Sequence, residues 1–348
     1  MTHRSFIKEI RRFTFLLTGF FGSIIILIIC VLLFNNGAFD TPSSYDSIDS
    51  YAGGIYTQNY DVATLDDSEE SLVIKYGHEL FVNTPKYIGP NNSKLNMAYA
   101  GNSLSCNNCH LSAGTKPFSA PLIGIIQRFP QFRGRENKIG TIEERINGCM
   151  ERSMNGRKMP EQSKEMNAIV RYLSWISRYS PADGNIEGKG FLKIIIPDRE
   201  VNLSHGATVF RKICSECHGF DGQGLKDKGS FVYTYPPLWG EGSFNNGAGM
   251  TRVITAAQFI KGNMPFGVTY LNPQLTDDQA FDVAGYISQQ ARPVKKNLEE
   301  DFPNLVKKPV STGYPPYADP FSTEQHQVGP FLEIIAYYLK TYEVKKTK

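Results

Sequence analysis

Two short stretches carry the most definite chemistry in this chain of 348 residues, Cys106-x-x-Cys109-His110 and Cys214-x-x-Cys217-His218. Cysteines three apart lie on one side of a helical turn, so both can form thioethers to the two vinyl groups of one haem, and the adjacent histidine can then ligate the iron. Zinc ribbons place their cysteine pairs about 15–20 residues apart, whereas 104 residues lie between Cys109 and Cys214. The reading is therefore two covalently bound haem c groups. Each iron then needs a sixth ligand or an open site, and that choice sets its chemistry. Met264-Pro265 stands 46 residues after His218, and its thioether would give an electron-transfer haem of raised potential. Met159-Pro160 stands 49 residues after His110, so symmetry predicts the same ligation for the first haem.

Cys149 competes with that symmetry. Of six cysteines, four are spent on thioethers and Cys30 lies in an apolar stretch, which leaves Cys149 without a partner for a disulfide. In RINGCMERSMNG (145 to 156), Arg145, Cys149, Arg152 and Ser153 share one face of a helix. Thr141 with Glu144 makes a capping box that starts this helix, and Gly156 is placed to stop it. Guanidinium groups favour thiolate over thiol, and they bind a small dianion with geometric specificity. A buried, inert thiol beside solvated arginines is equally compatible with the spacing.

The elements that must position these residues occur twice. The first set is KYGHELF (75 to 81), SCNNCH (105 to 110), KMP (158 to 160) and the apolar-periodic EMNAIVRYLSWI (165 to 176). The second is SHGATVF (204 to 210), ICSECH (213 to 218), NMP (263 to 265) and QAFDVAGYI (279 to 287), preceded by a capping box of Thr276 with Gln279. One haem domain has been used twice, mostly α with long loops. The segments around it read as an N-terminal membrane anchor (1 to 36), a flexible linker (37 to 70), domain 1 (71 to 185), an interdomain linker (186 to 200), domain 2 (201 to 295) and a C-terminal tail (296 to 348).

The anchor rests on His3, Arg4, Lys8, Arg11 and Arg12 ahead of 22 almost uncharged residues, Phe13 to Phe34. That length spans a bilayer core of about 30 Å as a helix, and the leading positive charge places the rest of the chain outside the cytoplasm. A cleaved signal peptide would have a shorter apolar core and an A-x-A-like site, which is not found. The expected location is the cytoplasmic (inner) membrane, single-pass, with the haem domains in the periplasm or on the outer face. A net charge of +3 with no basic run interleaved with aromatics argues against nucleic acid. His78 reads as a solvated helix position, DGQG (221 to 224) as a turn, and His326 carries no derivable chemistry.

GNSLSCNNCHLSAG (101 to 114), ERINGCMERSMNG (144 to 156), PPLWGEGSFNNGAGM (236 to 250), FIKGNMP (259 to 265) and YPPYADPFSTEQHQVGPF (314 to 331) resemble the TsdA family of thiosulfate dehydrogenases. The resemblance covers about residues 71 to 340 and leaves out the apolar N-terminal stretch. It implies a dihaem enzyme of two fused class I cytochrome c-like domains that interconverts two thiosulfates and one tetrathionate with two electrons. It further implies His110/Cys149 ligation of haem 1, overriding Met159, with Cys149 as reaction centre and Arg145 and Ser153 beside it, and His218/Met264 ligation of haem 2. Some family members carry a lysine, an alternative ligand, where this chain has Asn263. Arg152 is expected in the same anion pocket. Implied partners are thiosulfate, tetrathionate, the membrane, and a c-type cytochrome or quinone-linked electron carrier. The rival readings are a non-catalytic dihaem electron carrier with two His/Met haems, and a dihaem peroxidase.

Overall fold

In the computed structural model, which describes residue 11, residues 13–25, residue 27 and residues 54–348, the repeated Gly-x-x-[Leu/Val]-Phe motif marks the same helix crossing twice. The first half contributes α1 (Glu69–Val82), α2 (Ile142–Arg152) and α3 (Lys164–Ile176). The second contributes α4 (Leu203–Val209), α5 (Val253–Asn263) and α6 (Asp277–Ser288), and the tail adds α7 (Phe331–Tyr342). Helix α1 meets α3 at Gly77, where a Cβ would run into the Ala168 carbonyl. Helix α4 meets α6 at Gly206, where it would run into the Asp282 carbonyl. One turn on, Phe81 and Phe210 share the glycine's face and set their rings 5.7 and 5.6 Å from Tyr172 of α3 and Tyr286 of α6.

Local signals fix the helix starts. The Ser68 hydroxyl accepts from the Ser71 N–H, with Glu69 and Glu70 in the first turn of α1. Both expected capping boxes, Thr141/Glu144 on α2 and Thr276/Gln279 on α6, are formed. The described strands are one antiparallel pair, β1 (Gln131–Arg133) and β2 (Lys138–Gly140), with Phe132 opposite Ile139.

Two hydrophobic cores follow the repeat. Leu80, Phe81, Met150, Met166 and Tyr172 anchor the first; Phe210, Ile254 and Phe281 anchor the second, which α7 completes with Phe331, Ile334 and Tyr338. Each fully buried aliphatic or phenyl side chain contributes about 1.5–3 kcal/mol.

The two segments expected to be linkers are strapped down wherever they are described. In residues 54–70, Tyr56 is buried and its hydroxyl donates to the Glu187 carbonyl, while Arg178 Nη2 reaches the Asn59 carbonyl at 2.6 Å. The flexible-linker expectation fails from residue 54 on, because two tyrosines among the polar residues are buried or half-buried against domain 1. In residues 186–200, the Gly188 and Gly190 carbonyls accept from the Phe118 and Ala120 N–H groups at 2.8 and 2.7 Å, and Arg199 pairs with Asp282 at 2.7 Å.

Residues 13–25 are helical. Among the described residues no helix is long and apolar enough to cross a membrane; most of the expected span beyond residue 25, Cys30 included, lies outside the described residues.

Candidate active site

The first Cys-x-x-Cys-His begins at a single turn, Cys106–Asn108, that folds the His110 N–H back onto the Cys106 carbonyl at 3.0 Å. Cys106, Cys109 and His110 thereby face one cavity of about 370 Å³, walled mainly by apolar side chains such as Phe81, Ile146 and Leu173. His110 Nδ1 lies 2.7 Å from the Ala120 carbonyl, and His218 Nδ1 lies 2.7 Å from the Pro236 carbonyl. A carbonyl partner makes each Nδ1 the donor and leaves each Nε2 lone pair free for a metal. Ala120 holds its carbonyl in place from the left-handed region, φ 52°, a strain that surrounding structure must maintain. Burial keeps the His218 imidazole below its usual range, in the neutral form a metal requires. In both halves the residues present fit a covalently attached haem.

Cys149 and Arg145 enter the same cavity from α2. Arg145 Nη1 donates to Cys149 Sγ at 2.8 Å. Burial works against the charged form of this thiol, and the Arg145 guanidinium beside it works for it, holding Cys149 below the ordinary thiol range. Ser153 ends α2 and also lines the cavity.

Arg152 does not join them. Its Nη2 and Nε donate to Asp301 Oδ1 and Oδ2 at 2.5 and 3.3 Å, and Nη1 donates to the Gly148 carbonyl at 3.2 Å. Helical spacing sets the face on which a side chain starts; here a tail carboxylate decides where the long side chain ends. Arg135 also reaches Asp301, at 2.5 Å, and the two guanidiniums overcome the opposing effect of burial to hold the Asp301 carboxyl below its usual range. Asp301 had no sequence signal, since its two arginine partners lie more than 140 residues away.

Met159, the alternative ligand by symmetry, is 1 % exposed in the first core, and its N–H donates to Asn147 Oδ1 at 2.8 Å. It is not among the residues lining the cavity. Met264 caps the C-terminus of α5 and packs, with Cys214 and Trp239, against the second core. Asn263 before it is buried and donates to the Phe118 carbonyl of the first half at 3.0 Å. His326 is structural: stacked on Tyr317 at 3.6 Å, it bonds the Val310 carbonyl and Asp319. His78 sits edge-on to Tyr172, and Gly222 of DGQG turns at φ 67° beneath Trp239.

Comparison with known proteins agrees with this architecture. Residues 95–181 match the family model "SoxA/TsdA, cytochrome c domain" and residues 203–291 match "Cytochrome c". A thiosulfate dehydrogenase of Psychrobacter arcticus is 39% identical over 268 residues, 76% of this chain and 77% of that protein. One from Stutzerimonas stutzeri is 36% identical over 249 residues, 72% of this chain and 77% of that protein. The solved structure of the TsdBA thiosulfate dehydrogenase of Marichromatium purpuratum, as isolated, superposes with a TM-score of 0.61 at 31% identity. It matches 68% of this chain, which spans about half (49%) of that longer chain. The two cytochrome c domains hold two covalently bound haem c groups. By identity and by extent of match, the chain belongs to the thiosulfate dehydrogenase family of c-type cytochromes.

Proposed function

We propose that this protein interconverts two thiosulfate ions and one tetrathionate ion with transfer of two electrons, and that Cys149 is the reacting group. The observation that carries the reading is the Arg145 Nη1 to Cys149 Sγ contact of 2.8 Å inside the cavity that also holds His110. When bound, the haems supply two one-electron centres, the first ligated by His110 and Cys149 and the second by His218 and Met264, in contact with an external c-type cytochrome or quinone-linked carrier.

The chain's own part is binding and sulfur chemistry. Arg145 lowers the cost of a thiolate at Cys149 and presents further N–H donors to the oxygens of a dianion. Ser153, at the end of the same helix, adds a hydroxyl. Cys149 thiolate and one thiosulfate lose two electrons and join by a sulfur–sulfur bond, leaving a Cys–S–S–SO₃⁻ group. A second thiosulfate attacks that group, releases the thiolate and departs as tetrathionate. Atoms and charge balance in each step, and the reverse sequence reduces tetrathionate. Residues 13–34, behind five basic or imidazole side chains, anchor the protein in the cytoplasmic membrane with the haem domains outside.

The test is thiosulfate-dependent reduction of an artificial acceptor by the holoprotein and by Cys149→Ala. The expected result is turnover that the variant lacks, together with a thiolate-ligated low-spin signature in the oxidised protein. Equal rates, or an inert unmutated protein in both directions, overturn the reading and favour a pure electron carrier.

A further inference from the structure

A second, smaller cavity of about 220 Å³ lies one side chain away from that of Cys149. Arg292 lines it, and the Arg292 guanidinium carbon stands 4.6 Å over the ring of Phe244, which lines the larger one. Its walls come from the end of α6 and the turn after it (Ser288, Gln290, Arg292), from Thr251 ahead of α5, and from the tail (Ser311, Gln327). Where the Cys149 cavity is mainly apolar, this one is bounded by hydroxyl, amide and guanidinium groups, with no carboxylate among its lining residues.

Three buried atoms of these lining residues have no hydrogen-bond partner among the described residues: Ser288 Oγ, Ser311 Oγ and Arg292 Nε. Ser311 is 1 % exposed. Buried polar atoms are nearly always paired, so three on one cavity call for an occupant that accepts hydrogen bonds. Arg292 spends its other nitrogens on backbone: Nη2 donates to the Ile287 carbonyl at 2.8 Å, closing the end of α6, and Nη1 to the Leu238 carbonyl at 3.3 Å. Both acceptors are neutral. No carboxylate offsets the guanidinium, and burial alone pushes it down to about 10. A metal cation is excluded by the arginine and the missing acids, and an apolar guest would leave the donors unpaired. Water would pair the donors without answering the charge. One oxyanion does both, because its oxygens accept in several directions and it carries the counter-charge. Gln289, also on the wall, is exposed and marks a way in from solvent.

We propose that this cavity binds one small oxyanion of the sulfate type from solution, held by Arg292 Nε and the hydroxyls of Ser288 and Ser311. The site is separate from Cys149 and Arg145 and goes beyond the reaction proposed for them.

The experiment uses the dihaem holoprotein with selenate, a sulfate analogue whose selenium scatters anomalously. Crystals grown without sulfate or phosphate and soaked in selenate should show a selenium peak within hydrogen-bond distance of Arg292 Nε, Ser288 Oγ and Ser311 Oγ. Only water there at saturating selenate overturns the proposal, as does a haem propionate filling the space. In solution, calorimetric titration with sulfate at constant ionic strength should show binding that Arg145→Ala retains. Arg292→Gln should weaken it about 10- to 100-fold, the scale of a charge-assisted hydrogen bond, and Ser311→Ala by a smaller factor. A selenium peak without sulfate binding in solution would mean an adventitious ion only, and it too overturns the proposal; so does equal binding of chloride. Should Arg292→Gln not fold, since it also closes α6, Ser311→Ala decides: its hydroxyl has no other partner, and an unchanged affinity sinks the proposal. An inert enzyme would bear on the thiosulfate chemistry and not on these binding measurements.

Discussion

Arg152 of α2 and Asp301 of the C-terminal tail form a two-pronged ion pair, 2.5 and 3.3 Å, with side chains 9 % and 3 % exposed. Removing Asp301 strips both Arg152 and Arg135 of their shared buried carboxylate, so Asp301→Ala should cost about 3–5 kcal/mol of stability, read by denaturant unfolding; Arg152→Ala leaves Asp301 still paired with Arg135 and should cost less. The pair replaced together by apolar residues of similar volume should recover most of that loss, and a double-mutant cycle measures the coupling.

The same pair gives a pH signature. Asp301 is held below its ordinary range by Arg152 and Arg135 against the opposing effect of burial. A carboxyl whose folded pKa is depressed stabilises the fold above its unfolded value of about 3.9 and loses that contribution as pH falls through the folded value. The stability gap between the natural protein and Asp301→Asn should therefore be constant near neutrality and close on acidification below about pH 4. A gap independent of pH would detach Asp301 from acid unfolding.

Arg145→Ala should keep both haems, because no thioether or histidine depends on it, while kcat/KM falls about 100-fold, the scale of removing one donor to a developing charge. Steady-state rates and a haem stain on denatured protein check the two halves of this prediction. Loss of haem 1 would recast Arg145 as structural.

Gly77→Ala and Gly206→Ala should each destabilise by about 1–3 kcal/mol or more, since the new methyl meets carbonyl backbone that cannot step aside. Thermal unfolding of the two variants tests whether the repeated crossings carry equal weight.

Met159→Leu should cost less than about 1.5 kcal/mol, as a volume-conserving core change, with the oxidised spectrum intact. Met264→Leu should remove the thioether signature of haem 2 and lower its potential. Spectra and potentiometric titration of both variants separate a core methionine from a ligand.

What could be read along the chain was local or repeated. Thr141/Glu144 and Thr276/Gln279 act within one turn, so the helix starts were legible. The Gly-x-x-[Leu/Val]-Phe motif was visible because each half needs the same close crossing and the same ring against a tyrosine. Arg152 was misread because four-residue periodicity cannot report a carboxylate 149 residues away. Residues 54–70 looked like linker because the stretch from 35 to 70 is rich in Ser, Asp, Gly and Asn, yet Tyr56 and Tyr60 decide where the segment lies.

The clasp between α2 and the tail also bears on how the molecule is made. Synthesis delivers Arg152 well before Asp301, so a nascent chain can bury neither the arginine nor the last turn of the helix that carries Cys149 without a penalty. Contacts of such long sequence separation form late. The last turn of the helix that carries Cys149 is therefore finished only in molecules whose final segment has emerged and docked, and a truncated product holds its haem motifs but not that completed turn.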